Sequence, residues 1–451
     1  MKSKPQPPSL GEIGVFFLPL ALSGLMLSAG QPIVHAGLAR LESPELILAA
    51  YGMAFYAAVL LEAPIIMLLP AANALVTDEH NYRLTSRCMW AINIFLTVVA
   101  AVVTLIIPVY RFVFVTVMQF PTEVAEVARP ALYVLLLWPA LIGIRRYYNG
   151  ILVRFGRTAI IGWATAARVV VMILVTVIGI GMFPEHGVLV GGAALMLGVF
   201  VDTAMAVAAA RVILKEGVLP AHDEDSPAGG RTVAGFVRFF VPLALTSTLR
   251  MVTRPLMLSG IARGVAPVLS MAAFPVALGT LSLVDGQLQM LQQVVVARVR
   301  DPATYQVVRR FTWMVSMGCA ALLSLVSLTI LGDWYHGGII GLRGEVLAAA
   351  NLSLVFLAVV PLLTGLQAHN QGLLIRSGRT VSVNVAAFFN LLILVGMINV
   401  AVGRTELSAY LVAAMIMPLA LSAEVGLLYW WSRPAVASIH DEFRVVPGRP
   451  E

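Results

Sequence analysis

Residues 16–22 read FFLPLAL, and residues 239–245 read FFVPLAL, 223 positions later. A second pair follows, because GILVRFGRT at 150–158 returns as GLLIRSGRT at 372–380 with an offset of 222. An internal repeat of half the chain length is typical of transporters built from two related halves. The repeat therefore predicts two lobes and places the expected site between them.

The composition is that of a membrane protein. Hydrophobic residues make up 59% and charged residues 12% of the 451 residues, and the mean hydropathy is +0.90. Ordinary globular domains carry roughly 25% charged residues. A spanning helix needs roughly 20 apolar residues, and unpaired backbone groups are costly in hydrocarbon. The chain is therefore predicted to be an all-α polytopic membrane protein. Its twelve apolar runs lie near 13–37, 46–72, 88–109, 130–151, 159–182, 188–211, 237–262, 268–294, 311–331, 346–367, 381–402 and 407–431.

The distribution of charge predicts the topology. If the chain starts inside and alternates sides, 21 of its 30 Lys and Arg residues fall in cytoplasmic segments, with Arg145 and Arg146 among them. This follows the positive-inside rule, so we expect an integral protein of the plasma (inner) membrane with both termini cytoplasmic. The hydrophilic stretch 215–231 predicts a cytoplasmic linker. It separates an N-terminal six-helix lobe at 1–214 from a C-terminal six-helix lobe at 232–451, related as parallel repeats.

Several classes of function are not indicated. The positive charge fits topology and attraction to anionic membrane lipid rather than nucleic acid. Cys88 and Cys319 lie in apolar runs, and no phosphate-binding loop or metal-ligand spacing is found. We expect no enzyme activity, no cofactor and no metal, and a monomer in which transport is driven by a gradient or proceeds by facilitated flow.

Arginines within the predicted spans are the first candidate site residues, because a buried charge costs about 2.5–3.5 kcal/mol on insertion scales. Arg250 and Arg254 lie one turn apart on helix seven, and Arg168 lies within helix five. A guanidinium keeps its charge and matches the oxygens of carboxylates and phosphates. The predicted substrate-binding residues are these three together with Gln31, His35 and His369.

Four acids also lie within the predicted spans, and they form pairs under the repeat. Glu62 corresponds to Asp285, and Asp202 corresponds to Glu424. The arginines have no such counterparts, because Arg250 aligns with Leu27, Arg254 with Gln31 and Arg168 with Asn390.

Two interpretations of these charges stay open. In the first, the arginines only neutralise the acids in buried ion pairs that fix helix register. In the second, Arg250 and Arg254 hold an anionic substrate in a solvated cavity. The acids are then counter-charges, or sites for a coupling H+ or Na+.

Helix seven also carries a resemblance to a known family. Residues 241–245 read VPLAL, residues 250–255 read RMVTRP, and residues 262–263 read AR. This resembles the PLAL…RxxSRP…SR pattern of the progressive ankylosis (ANKH) family, within the multidrug/oligosaccharidyl-lipid/polysaccharide flippase superfamily. Weaker similarities are AYGMA at 50–54, GIL at 150–152, AHNQG at 368–372 and AE at 423–424. Gln31 departs from the pattern, because the family has an acid there.

The resemblance implies a MATE-like protein with twelve helices in two lobes that exports small polyanions such as pyrophosphate, ATP or citrate. It makes Arg250, Arg254 and His369 the leading site residues. We expect alternating access around a cavity between helices one, two, five, seven, eight and ten. The alternatives are a cation-coupled multidrug extruder that uses Glu62 and Asp285 as ion sites, and a lipid-linked precursor flippase.

Overall fold

The computed structural model describes residues 9–215, 232–402 and 404–442. Within these ranges the regular secondary structure is helical, and a single β-bridge joins Val265 to Ser408. The predicted linker falls almost wholly at 216–231, outside the described residues. The exact boundary between the lobes therefore stays a prediction.

The predicted set of twelve membrane-spanning segments is confirmed. Eleven helices are long and apolar enough to cross a membrane, and a pair bent by 42° supplies a twelfth span. In chain order, from α1 to α12, the spans are Leu10–Leu38, Pro44–Glu62, Glu79–Leu105, Thr122–Arg154, Thr158–Met182, Pro184–Lys215, Val233–Ile261, Pro267–Arg298, Pro302–Leu328, Gly344–Leu357 with Val360–Arg376, Thr380–Val402 and Ala409–Ala437.

The first helix of each lobe is broken at the same place in the repeat. The helix α1 breaks at Ala29, and α7 breaks at Val252. Pro32 and Pro255 each lie three residues after the break. A proline has no N–H to donate to the carbonyl four residues earlier, so the helical hydrogen-bond ladder is interrupted at this depth in both lobes.

The parts of α1 and α7 that precede the break pack mainly on the opposite lobe. The first part of α1 lies on α8 and α9, where the rings of Phe17 and Phe311 meet edge to face at 5.5 Å. The first part of α7 lies on residues 65–67 and α3. After the break, α1 returns to α5 and α7 returns to α11. The two lobes are thus joined by crossing helices.

Each crossing has one close contact, and the two are equivalent under the repeat. On α1, a Cβ atom added to Gly24 would lie 2.8 Å from the carbonyl oxygen of Gly286, so only glycine allows this approach. At the matching point on α7, the Oγ of Ser247 donates to the carbonyl oxygen of Ala63 at 2.6 Å. One crossing depends on the absence of a side chain, and the other on a hydrogen bond.

At the opposite end of the spans, α1 and α7 each meet a π-helical segment of the other lobe. These segments, Phe112–Val117 and Asp333–Ile340, follow α3 and α9 respectively. The guanidinium of Arg40 donates to the carbonyls of Ile339 at 2.7 Å and Ile340 at 2.9 Å. The Oγ of Ser259 donates to the carbonyl of Met118 at 2.8 Å. We call these two interactions the crossed contacts.

The π-helical segment beneath Arg40 is fixed in place by a buried histidine. His336 accepts at Nε2 from Thr280 of α8 at 2.9 Å, and Nδ1 donates to Asn351 of α10 at 2.5 Å. Burial lowers the pKa of His336 below its ordinary range, so the ring is neutral at pH 7 and this tautomer satisfies both partners. The carbonyls that receive Arg40 therefore belong to a segment anchored to two helices of its own lobe.

Candidate functional site

A cavity of about 50 Å³ lies between the two lobes. It is bounded by α1 and α2 from the first lobe and by α7 and α8 from the second. The described residues that line it are Gln31, His35, Gly52, Phe55, Tyr56, Arg254, Pro275, Leu278, Gly279 and Ser282. Three of the six predicted substrate-binding residues, Gln31, His35 and Arg254, are therefore brought together.

Arg254 gives this cavity its charge. Among the ten described lining residues it is the only one with a permanent charge, and none of them is an acid. The other polar groups are the amide of Gln31, the imidazole of His35 and the hydroxyls of Tyr56 and Ser282. A guanidinium with hydroxyl and amide donors is a set of groups that suits an anion.

On the first-lobe side, Tyr51 orients the amide of Gln31. The phenol donates to Gln31 Oε1 at 3.2 Å, so the amide nitrogen of Gln31 points away from the Tyr51 hydroxyl. His35 packs its ring edge to face on Tyr51, with the ring centroids 5.7 Å apart. Its Nδ1 is buried and has no partner among the described residues. The ring lies against Gly279, where an added Cβ would be 3.2 Å from that nitrogen.

On the second-lobe side, Asp285 lies one turn beyond Ser282 on α8. Its carboxylate is within Coulomb range of Arg254, and Thr364 of α10 and Gln289 lie beside it. One carboxylate oxygen, Oδ1, is buried without a hydrogen-bond partner among the described residues. Asp285 thus lies near Arg254 but is not among the described residues that line the cavity.

A second group of charges lies inside the N-terminal lobe. Arg145 of α4 and Asp202 of α6 form an ion pair at 2.6 Å, with 7% and 1% of their side chains exposed. Glu62 accepts from the indole Nε1 of Trp138 at 3.1 Å and lies 3.9 Å from Arg146. We call Glu62, Arg145, Arg146, Arg168 and Asp202 the N-lobe charge cluster.

The expectation that Arg145 and Arg146 lie in a cytoplasmic segment is corrected by this geometry. Both stand well inside α4, eight or more residues before its end at Arg154. They can be buried because Asp202 and Glu62 face them from α6 and α2. The sequence already pointed to a position within the membrane-spanning helix, because both arginines lie inside the apolar run 130–151.

Arg168 lies with the N-lobe charge cluster and is not among the described residues that line the central cavity. It is within Coulomb range of Arg145, Asp202, Glu62 and Tyr51. Tyr51 is hydrogen-bonded to Gln31, which lines the cavity. No described residue of α5 or α10 lines the cavity, and Thr364 of α10 lies beside Asp285.

His369 of α10 faces α9 and is not among the described residues that line the cavity. Its Nδ1 is 3.2 Å from the hydroxyl of Thr312, and its ring is 5.9 Å from that of Tyr305. Under the repeat, His369 and Tyr305 correspond to Tyr147 and Tyr82, whose rings are 6.4 Å apart. The histidine thus occupies the position of a packing residue of the other lobe.

The remaining predicted residues are Glu424 and Arg250. Glu424 of α12 is buried and accepts from the side-chain amide of Gln371 at 3.5 Å. Arg250 belongs to the first part of α7, but its side chain lies outside the described part of the structure.

Comparison with known proteins gives the family. The family model of the progressive ankylosis protein (ANKH) matches residues 8–282, which is more than half of the chain. The chain belongs to the ANKH family. A search of curated protein sequences gives no significant match.

Solved transporters have the same fold as this ANKH-family chain. An inward-facing multidrug resistance MATE family transporter of the MOP superfamily has a TM-score of 0.67 at 14% identity, and the match covers 95% of this chain and 99% of that one. An outward-facing structure of such a transporter has a TM-score of 0.59 at 14% identity, covering 96% and 97%.

A third similar structure is a MOP superfamily transporter from Pyrococcus furiosus Vc1 (DSM3638), described as having a binding pocket of reverse polarity. Its TM-score is 0.60 at 15% identity, and the match covers 96% of this chain and 97% of that one. These likenesses establish a MATE-type fold. With the apolar spans and the family, they identify an integral membrane protein of transporter rather than enzyme type.

Proposed function

We propose that this ANKH-family transporter exports small organic or phosphorylated anions, such as pyrophosphate, ATP or citrate, by alternating access around the central cavity. Arg254 would engage the anion, and Gln31 and His35 would complete the site from the other lobe. Arg250 is a further predicted ligand one turn earlier on α7. The observation that carries the proposal is the lining itself, which contains one guanidinium and no acid among the described residues.

The size of the cavity bears on the mechanism. Sites for drug-sized ligands occupy roughly 300–1,000 Å³, whereas this cavity holds about 50 Å³. Only a few water molecules or one small oxyanion fit, since one water needs roughly 10–15 Å³. The lobes must therefore separate before a larger anion can enter. The broken helices α1 and α7, which contact both lobes, are the elements that can transmit this movement.

A cation-coupled multidrug extruder is the second candidate function. The unpartnered Oδ1 of Asp285 favours it, because a buried carboxylate oxygen can accept a proton or bind a cation. Arg254 weighs against it, since the guanidinium repels a cationic drug at the cavity. Flipping of a lipid-linked precursor would in addition require a lateral opening toward the bilayer.

The orientation and energy source are also proposals. We infer a plasma-membrane location with both termini cytoplasmic, H+ or Na+ as candidate coupling ions and a monomeric transporter. The distribution of Lys and Arg supports the orientation. An even number of spans supports placing both termini on one face, with the crossed contacts at the other.

Efflux from proteoliposomes tests the proposed substrate class. Vesicles are loaded with labelled pyrophosphate, ATP or citrate, and saturable efflux is compared between the wild type and Arg254→Gln. Loss of a charge-assisted hydrogen bond costs about 1.5–3 kcal/mol, so transport should fall roughly tenfold to hundredfold.

Arg263→Gln on the same helix is the matched control, because Arg263 donates to the carbonyl of Ser259 in its own helix. This variant should keep most of the anion efflux. Unchanged anion efflux in Arg254→Gln would contradict the site. Efflux of an ethidium-like dye that depends on Asp285 would instead support the multidrug function.

A further inference from the structure

The N-lobe charge cluster is not neutral. Its three guanidinium groups, Arg145, Arg146 and Arg168, are within Coulomb range of two carboxylates, Glu62 and Asp202. No further acid of the described residues interacts with Arg146 or Arg168. One positive charge inside the lobe is therefore uncompensated.

The unbalanced charge can be located by asking which groups are already satisfied. Arg145 and Asp202 pair with each other at 2.6 Å, and one buried atom of each, Nε and Oδ1, has no partner among the described residues. Glu62 accepts from the indole of Trp138 at Oε2, and its Oε1 lies 3.9 Å from Arg146, within ion-pair range but too far for a hydrogen bond. Arg168 makes no hydrogen bond to another described residue. The guanidinium groups of Arg146 and Arg168 thus keep unused donors.

Both groups are only partly buried. Arg146 keeps 25% of its side chain exposed although it stands well inside α4, and Arg168 is likewise partly buried. Glycines make room for Arg168. Its Nη2 is 3.5 Å from where a Cβ of Gly30 would stand, and its Cγ is 3.2 Å from the corresponding point at Gly198. The guanidinium therefore reaches the break of α1, next to Gln31.

We propose that Arg146 and Arg168 bind a small inorganic anion, a halide or an oxyanion of single charge, inside the N-terminal lobe. A partly buried charge without a counter-charge loses part of its hydration, and one bound anion would balance it. The site is distinct from the described lining of the central cavity, which contains neither arginine. It does not depend on which solute the central cavity carries.

Thermal unfolding of the full-length protein in detergent tests the site. The midpoint is measured in sodium gluconate and then with one of the singly charged anions chloride, bromide and nitrate added at constant ionic strength, and citrate and pyrophosphate are tested in parallel. We expect a saturable rise in the midpoint with at least one of the singly charged anions. Arg146→Gln and Arg168→Gln should abolish it, whereas Arg254→Gln, in the central cavity, should retain it.

A second variant keeps the proposal testable if the arginine variants fold poorly. Glu62→Gln removes one negative charge from the cluster and should lower the anion concentration for half-maximal stabilisation severalfold. No anion-dependent rise in the wild type would overturn the proposal, as would a rise that persists in both arginine variants. A rise caused only by citrate or pyrophosphate and lost in Arg254→Gln would also overturn it, since the anion would then be the transported solute.

Discussion

The two lobes have the same scaffold but use their interior acids differently. In the N-terminal lobe, Asp202 is held by an ion pair with Arg145. In the C-terminal lobe the equivalent acid, Glu424, meets the neutral amide of Gln371. The repeat places Gln367 where the first lobe has Arg145, and Asn390 where it has Arg168. The first lobe therefore concentrates positive charge in its interior, whereas the second presents Arg254 at the interface.

The second pair of acids differs in the same way. Glu62 accepts from the indole of Trp138, but the repeat puts Val360 at the position equivalent to Trp138. One oxygen of Asp285, the counterpart of Glu62, has no hydrogen-bond partner among the described residues. A repeat can thus preserve an acid in both lobes while the partners of that acid differ, and a coupling role for Asp285 stays a proposal.

The largest expected effect comes from breaking the first of these pairs. Arg145→Leu leaves Asp202 charged and buried without its partner, which should destabilise the protein by about 3–5 kcal/mol. Gln371→Leu removes a neutral partner from Glu424 and should cost about 1–3 kcal/mol. Unfolding midpoints of the two variants measure the difference. Equal losses would show that the lobes hold their acids with equal strength.

The two helix crossings provide a second comparison. In Gly24→Ala the new methyl group would collide with the backbone of Gly286, so the crossing must move apart, at about 1–3 kcal/mol. Ser247→Ala at the equivalent point loses one hydrogen bond, at about 1 kcal/mol. Both variants are compared by thermal unfolding and by anion efflux. A larger effect of Ser247→Ala would show that the hydrogen-bonded crossing of α7, and not the glycine crossing of α1, is the more sensitive of the two.

The smallest effect is expected at the crossed contacts, because Arg40 is exposed to solvent. Arg40→Gln should loosen that end of the transporter and raise the labelling rate of a cysteine placed at Ser282 severalfold. The background carries Cys88→Ala and Cys319→Ala, and a membrane-impermeant maleimide is added from each side in turn.

Arg263→Gln is the control for this experiment, because Arg263 is the repeat counterpart of Arg40 but bonds to its own helix. The cysteine at position 282 should be labelled in this variant at nearly the same rate as in the background without an arginine substitution. If both variants open the cavity equally, the interlobe bonds of Arg40 have no special role in closing that end.

Hydropathy and the repeat predicted much of the architecture because both depend on local sequence. Twelve apolar runs gave the spans, since helix length is set by bilayer thickness. Gln31, His35 and Arg254 lie together at one cavity, and their role in substrate binding stays a prediction. Arg168 and His369 were expected there as well. Instead, Arg168 joins the N-lobe charge cluster, and His369 packs between α9 and α10 as Tyr147 packs in the first lobe.

The sequence by itself determined the number of spans, the two-lobed repeat, the family and the presence of unpaired arginines. Only the tertiary structure decided which arginines meet acids and which face the cavity. It also decided that α1 and α7 cross to the opposite lobe, that Arg145 is buried and that Arg146 is partly buried beside it. The physical reason is that a charge inside a membrane protein is tolerated according to its neighbours in space. Asp202 lies 57 residues from Arg145 in the chain, yet it is the group that makes the burial of Arg145 possible.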